Sequence, residues 1–229
     1  MTLGDGCGFG YDPVMLASTV SSERAGLRSL LATPWVYSVF SGLVGATAAR
    51  EEFVRRYVRS SIGDSVLDIG CGPGDLLDFL PAVRYMGFDI SHRYIEAARR
   101  KFGDRGEFLC ARVGDVAAVM PNHFDVAIAF GVLHHLTDDA ALGLFREARQ
   151  VLKPQGRLVT IDGCWDRHQS RSARWLLARD RGRHVRSAED LVRLAATHFG
   201  HVTADVRHDL LRIPYSHVIL VCSPDRGRS

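Results

Sequence analysis

A short apolar run that stops abruptly in glycine is the strongest constraint in this chain: Val66-Leu67-Asp68-Ile69-Gly70-Cys71-Gly72-Pro73-Gly74. Residues 65–69 are too few for a helix and too apolar for a strand with one wet face. They read as a parallel strand covered on both sides. The glycines let the following turn tighten, and they let a ligand approach backbone where a Cβ would collide. The next apolar run, residues 85–88, closes on Asp89. A carboxylate at the end of a second strand is placed to accept hydrogen bonds from ribose hydroxyls. The glycine spacing is GxGxG, not the GxGxxG of dinucleotide folds, and Asp68 stands two residues before the first glycine. Its charge opposes a pyrophosphate and favours a cationic amino group or sulfonium. An NAD-dependent oxidoreductase is disfavoured on both counts.

The rest of the chain alternates in the same way. Residues 34–60 have a helical pattern, with Phe53 and Tyr57 four apart beside Val54 and Val58, and with Gly42 and Gly45 dividing the region into two helices. Residues 75–80 are predicted helical, and Ser91 is predicted to cap a helix carrying Tyr94, Ile95 and Ala98. Residues 107–113 and 124–130 read as strands. Thr137 caps a helix with the stripe Leu144, Phe145, Ala148, Val151 and Leu152, then residues 153–156 turn into a strand at 157–161. Ser187 and Asp190 form a capping-box pattern that opens a helix through His198. Residues 201–207 and 217–222 suit a hairpin at one sheet edge. Strands alternating with helices imply a doubly wound, mostly parallel α/β sheet.

Composition narrows the class. With 229 residues, 46% hydrophobic and 24% charged, the chain fits one large globular domain and is not disordered. A net charge of +3 is too weak to signal nucleic-acid binding. The 5 cysteines are scattered, without CxxC spacing, which fits idle thiols in a reducing compartment and predicts neither disulfides nor a metal site. The glycine-rich start, residues 1–11, lacks a signal-peptide layout, and no apolar run is long enough for a bilayer. A cytoplasmic protein without membrane association is expected. Lys occurs only at Lys101 and Lys153. The arginine excess fits either codon bias or selection for phosphate and carboxylate partners.

Residues 64–162 resemble a class I S-adenosylmethionine-dependent methyltransferase. VLDIGCGPG is similar to the family's first motif, GFDIS to its second and FDVAIAFGVLHHL to its fourth, and LKPQGRLVTID resembles the helix-turn-strand that follows. The resemblance implies a Rossmann-like, seven-stranded sheet whose last strand is antiparallel, with N-terminal helices. It implies one methyltransferase domain over residues 1–229: a flexible arm (1–33), a helical cap (34–62), the cofactor core (63–162) and substrate-side helices and strands (163–229). It implies S-adenosyl-L-methionine as cofactor. Asp68, Gly70, Cys71, Gly72 and Gly74 would hold its methionine end, Asp89 its ribose and Ile90 its adenine, and Phe130 would line its inner side. Relatives usually carry an Asp at the end of the third strand to read the adenine amino group, and here Arg112 takes that position. Arginine offers no acceptor. Either Asp115 substitutes, or the backbone near Val113 reads the adenine, or Arg112 stacks or points to solvent.

His134 and His135 follow the fourth strand and Asp162 ends the fifth, at the edge where doubly wound folds bind ligands. A His–Asp pair there suits a base and its orienting partner; helix capping and core packing are the plainer roles for the two histidines. Selection of the acceptor falls to segments outside the shared core. One is residues 34–44, with Trp35, Tyr37 and Phe40. The other is residues 164–186, with Trp165, Trp175 and Arg167, Arg171, Arg174, Arg179, Arg181, Arg183 and Arg186. Arg167, Arg171 and Arg174 are predicted to share a helical face that suits an anionic acceptor, and a solvated surface explains them nearly as well. The expected activity is methyl transfer to O, N or C of a small molecule. An RNA or protein methyltransferase and an inactive cofactor-binding partner are the alternatives.

Overall fold

The computed structural model describes residues 45–179 and 182–224. The chain divides into two units, Met1–Phe40 and Ser41–Ser229. The expectations for residues 1–44, including Trp35, Tyr37, Phe40 and Gly42, lie outside the described residues, as does that for Arg181.

Eight strands form the sheet: β1 (Ser65–Ile69), β2 (Arg84–Asp89), β3 (Glu107–Cys110), β4 (Phe124–Phe130), β5 (Leu152–Trp165), β6 (Arg186–Ser187), β7 (His201–Arg207) and β8 (His217–Ser223). Their order is β3-β2-β1-β4-β5-β8-β7. The first five run parallel, and β8 lies antiparallel between β5 and β7. The expected seven strands are therefore present. The eighth, β6, is a two-residue addition pairing Arg186 with Cys164 and Ser187 with Trp165.

The α-helices among the described residues are α1 (Ala46–Phe53), which runs on into a π-helical turn (Val54–Val58), α2 (His92–Phe102), α3 (Val113–Val119), α4 (Asp138–Val151), α5 (Arg171–Leu177) and α6 (Ala188–Ala195). Because strand side chains alternate between faces, adjacent residues of one strand feed different cores. Val66, Ile128, Val159 and Ile219 pack with Phe53, Tyr57 and Ile95 on one face. Leu67, Ala127, Leu158 and Leu220 pack with Phe145, Ala148 and Phe199 on the other. Both faces are covered, which is why β1 and β4 read as nearly unbroken apolar runs.

Several boundaries differ from the sequence reading. Residues 75–80 form a tight 3-10 turn, Asp75–Phe79, because Gly74 enters it in a left-handed conformation. Strand β3 stops at Cys110 and Val113 already opens α3, since the Asp115 carboxylate accepts the Arg112 N–H at 2.9 Å and starts the helix. Residues 153–156 do not separate helix from strand. They bulge within β5, between Leu152 opposite Phe124 and Arg157 opposite Val126. Ser91 sits at the cap position of α2 without a side-chain cap bond; its N–H is held by Asp89 instead. Thr137 and Ser187 do cap, accepting from Ala140 N at 3.4 Å and Asp190 N at 3.1 Å, although α6 ends at Ala195 rather than His198. Arg167 precedes α5, so it shares no helical face with Arg171 and Arg174.

Phe145 of α4 is fully buried against the sheet. Phe145→Ala should lower unfolding free energy by about 3–5 kcal/mol, the usual cost of an aromatic-sized cavity. Urea unfolding followed by circular dichroism checks this, and a change within error would mean that the site collapses around the smaller residue.

Candidate active site

At the carboxyl ends of the parallel strands, the turn after β1 folds back on β2. Gly70 N and Cys71 N both donate to Phe88 O, at 2.9 and 3.0 Å, and Gly74 N donates to Cys71 O at 3.0 Å. Gly70 and Gly74 have φ of +68° and +78°, which L side chains rarely adopt. A Cβ would meet Val132 at 2.9 Å from Gly70, and Phe102 and Phe108 at 3.0 Å from Gly74. Gly72 differs: nothing lies within 4 Å of the position its Cβ would take. The turn is therefore packed at both ends and open at its centre, as a cradle for a ligand must be.

Two carboxylates stand by that cradle in different states. Asp89 is fixed by the turn it serves, with Oδ2 accepting from Gly72 N at 3.1 Å and Oδ1 from Ser91 N at 2.8 Å. Each oxygen keeps a second lone pair for a hydroxyl donor. The following residue, Ile90, is 78% exposed, an apolar side chain left on the surface beside the ribose-type acceptor. Asp68 is only 1% exposed. Its Oδ2 accepts from the Tyr85 hydroxyl at 2.7 Å, and its Oδ1 is buried with no hydrogen-bond partner. Burial pushes this carboxyl up to about 7, the Tyr85 hydrogen bond opposes the shift and the Asp89 charge adds to it. An unsatisfied buried acceptor is costly, and a cationic donor would relieve it. Cys71 is buried and its thiol is shifted strongly upward by burial and by Asp68; it packs against Gly87 and is no nucleophile.

Arg50 on α1 belongs to none of the sequence motifs. Its side chain is 16% exposed, lies 3.6 Å from Asp75 and extends over the Phe130 ring at 5.9 Å. Phe130 packs edge-on against Phe53 with centroids 5.3 Å apart. An arginine between the glycine turn and the end of β4 could hold a ligand carboxylate. Arg112 is exposed at the start of α3, and Asp115 is already engaged by its backbone N–H.

The sequence-predicted His–Asp pair forms. Leu133–His135 is a 3-10 turn after β4. His134 Nδ1 lies 2.8 Å from Asp162 Oδ1, and the same oxygen accepts His134 N at 3.1 Å. Asp162 is 2% exposed, and burial raises its pKa against the opposing His134 hydrogen bond. It does not end β5, which runs on to Trp165. The His135 ring centroid lies 4.0 Å from that of His134. Among the acceptor-side residues, Arg174 sits over the Trp165 ring at 5.8 Å, so these two come together, while Tyr37 lies outside the described residues. The expected basic cluster breaks up. Arg179 covers Trp175 at 3.8 Å, Arg167 contacts His168, and Arg186 turns inward to backbone carbonyls. Among the described residues, no three His, Cys, Asp or Glu side chains group to hold a metal, and no helix is long and apolar enough to cross a membrane.

Comparison with known proteins agrees with this geometry. Residues 66–156 match the family described as a methyltransferase domain. An uncharacterized 37.1 kDa protein in a transposon of Streptomyces fradiae is 35% identical over 65% of this chain and 41% of its own length. A ubiquinone biosynthesis O-methyltransferase of Neisseria meningitidis is 33% identical over 41% of this chain and 42% of its own length. The chain thus spans about two-fifths of the length of each. A structure of geranyl diphosphate C-methyltransferase from Streptomyces coelicolor, in complex with Mg2+, geranyl diphosphate and S-adenosyl-L-homocysteine, superposes with a TM-score of 0.62 at 16% identity. It covers 86% of this chain and 89% of that one.

Two outcomes test the cradle with S-adenosylhomocysteine as probe. Asp68 must ionise to receive the ammonium, so affinity should fall about tenfold per pH unit below 7, whereas Asp68→Asn should bind more weakly and lose that pH dependence. Calorimetric titration between pH 5.5 and 8 reads both, and a flat wild-type profile would remove Asp68 from the contact. Arg50→Ala should weaken binding about 10- to 100-fold, as expected for loss of a hydrogen bond between charged groups; unchanged affinity would leave Arg50 a partner of Asp75 alone.

Proposed function

We propose that this chain, which carries a class I S-adenosylmethionine-dependent methyltransferase domain, transfers a methyl group to a hydroxyl oxygen of a small molecule. The observation that carries the choice of oxygen is the part-buried His134 Nδ1 to Asp162 Oδ1 contact of 2.8 Å. An amine acceptor attacks through its own lone pair once neutral, whereas a hydroxyl gains from a positioned base.

The residues fit the cofactor. Asp68 Oδ1 is an acceptor waiting for the ammonium, Gly72 leaves the turn open, Asp89 suits the ribose hydroxyls, and Ile90 suits one face of the adenine. Arg50 would take the carboxylate. For the adenine amino group, Asp115 is the nearer substitute for the family's usual acceptor, since Arg112 can only donate. The cofactor supplies an electrophilic methyl carbon on a sulfonium centre. The protein supplies alignment, which is the larger part of catalysis for such a displacement. Asp162 fixes the tautomer of His134 by engaging Nδ1, so the ring's other nitrogen, Nε2, is the one that receives the acceptor's proton as its oxygen bonds to carbon. The buried Asp162 then stabilises the imidazolium. Trp165 with Arg174 over its face would form the outer wall of the acceptor site and suits a planar or anionic group.

Of the similar proteins, one is named for O-methylation and one for C-methylation of small molecules, and another is named as a tRNA O-methyltransferase. An acidic carbon needs a base as well, so C-methylation is the second reading. An RNA acceptor is the less favoured reading, because Arg174 and Arg179 lie over aromatic rings and Arg186 turns to backbone carbonyls, which leaves a smaller basic surface than the sequence offers.

His134→Asn and Asp162→Asn should each slow turnover about 10²- to 10⁴-fold, the range for losing a general base, with S-adenosylhomocysteine affinity unchanged. Release of S-adenosylhomocysteine across panels of phenols, enols, carboxylates and amines reads this. Turnover confined to amines, and insensitive to both substitutions, would overturn the reading.

A further inference from the structure

We infer that Arg186 and Gly182 are positioning residues that hold the His134 imidazole against Asp162. The inference rests on the reading of His134 as the base, but it makes a claim about geometry that can be tested separately.

Arg186 is 9% exposed, and its guanidinium is engaged by the turn that carries His134, by His184 and by Asp138. Nη1 donates to Leu133 O at 2.9 Å and Nη2 to Leu136 O at 2.6 Å, the carbonyls on either side of His134 and His135. Nη1 also donates to His184 O at 3.0 Å, and Nε to Asp138 Oδ1 at 2.8 Å. A rigid, planar fork can reach carbonyls in several directions at once, which a single ammonium cannot. Burying a cation for surface decoration would be unfavourable, whereas full hydrogen bonding offsets its desolvation. Within itself the turn after β4 has two 3-10 bonds, His135 N to Val132 O and Leu136 N to Leu133 O, both 3.1 Å, and the Arg186 donors engage the carbonyls at its two ends. Because β6 pairs Arg186 with Cys164, the arginine is itself tied to the strand that carries Asp162. One side chain thus fixes the histidine's turn relative to its carboxylate.

Gly182 supplies the second restraint. A Cβ there would stand 2.2 Å from His134 Cδ2 and 2.9 Å from Cγ. The glycine does not lie in the left-handed region, so it is required for space and not for backbone conformation. Two residues on, His184 N donates to His134 O at 3.0 Å. The segment from Gly182 to His184 thus lies against the His134 ring and backbone, where a larger side chain at 182 would displace the imidazole.

Proton NMR of the full chain tests this through the His134 Nδ1–H, a hydrogen-bonded proton expected far downfield and assigned by its loss in His134→Asn and Asp162→Asn. Arg186→Gln and Gly182→Ala should each abolish that resonance while S-adenosylhomocysteine binding persists, and turnover should fall on the order of 100-fold, as for a base displaced by about an ångström. Gly182→Ala removes no hydrogen bond, so it remains informative if Arg186→Gln fails to fold. Retention of the resonance in Gly182→Ala and in any folded Arg186 variant would overturn the inference. Loss of the resonance in these variants, with wild-type turnover in His134→Asn, would support the positioning and defeat only the assignment of His134 as base.

Discussion

Between β1 and β4 the winding of the sheet reverses, β2 and β3 being added on one side and β5 onward on the other. Connections leave the two central strands in opposite directions, so their carboxyl ends are not roofed and a crevice opens there. The glycine turn, Asp68, Phe130, the His134 turn and Asp162 all stand on that edge because the strands bearing them are parallel and in register: Ile69 pairs with Ala129, and Phe130 with Ile161. Covering both faces of the sheet with helices has a further consequence. Asp68 and Asp162, each on a buried strand, are polar groups in apolar surroundings, and both have elevated pKa values through burial.

Each of the two carboxylates is hydrogen-bonded at one oxygen only. Asp68 keeps one oxygen on Tyr85 and the other without a partner. Asp162 likewise spends Oδ1 on His134 and leaves Oδ2 buried without one. A half-satisfied buried carboxylate costs stability in the free protein. Near the glycine turn that cost is offset when a cation binds; beside His134 it is offset when the imidazole becomes charged. In the proposed roles, cofactor binding and proton acceptance would draw on the same physics on β1 and β5, the two strands that flank β4.

Much of this was legible in the chain. The apolar run ending in glycines, Asp89 after the second strand and the LHH sequence after the fourth each carry a local signature, and each lies where the pattern put it. Boundaries were less legible. Strand β3 was expected to reach residue 113, but Asp115 captures the Arg112 N–H and begins α3 first. Residues 153–156 carry turn chemistry yet bulge inside β5, because the neighbouring strand supplies pairing on either side. The arginines of residues 164–186 looked alike in sequence, and three-dimensional packing sorted them into an inward clamp, two aromatic partners and surface groups.

The sequence by itself determined the parallel α/β architecture, the glycine turn with its two carboxylates and the candidate base. Those features follow from local rules: strand periodicity, the steric freedom of glycine, and residue types at strand ends. Only the tertiary structure decided which groups are buried, paired or left wanting. Tyr85 on Asp68, Arg50 beside Asp75 and Phe130, and Arg186 gripping the turn of His134 join residues that are distant in sequence or differently placed on their strands. Their roles depend on desolvation and hydrogen-bond geometry, which no spacing along the chain encodes.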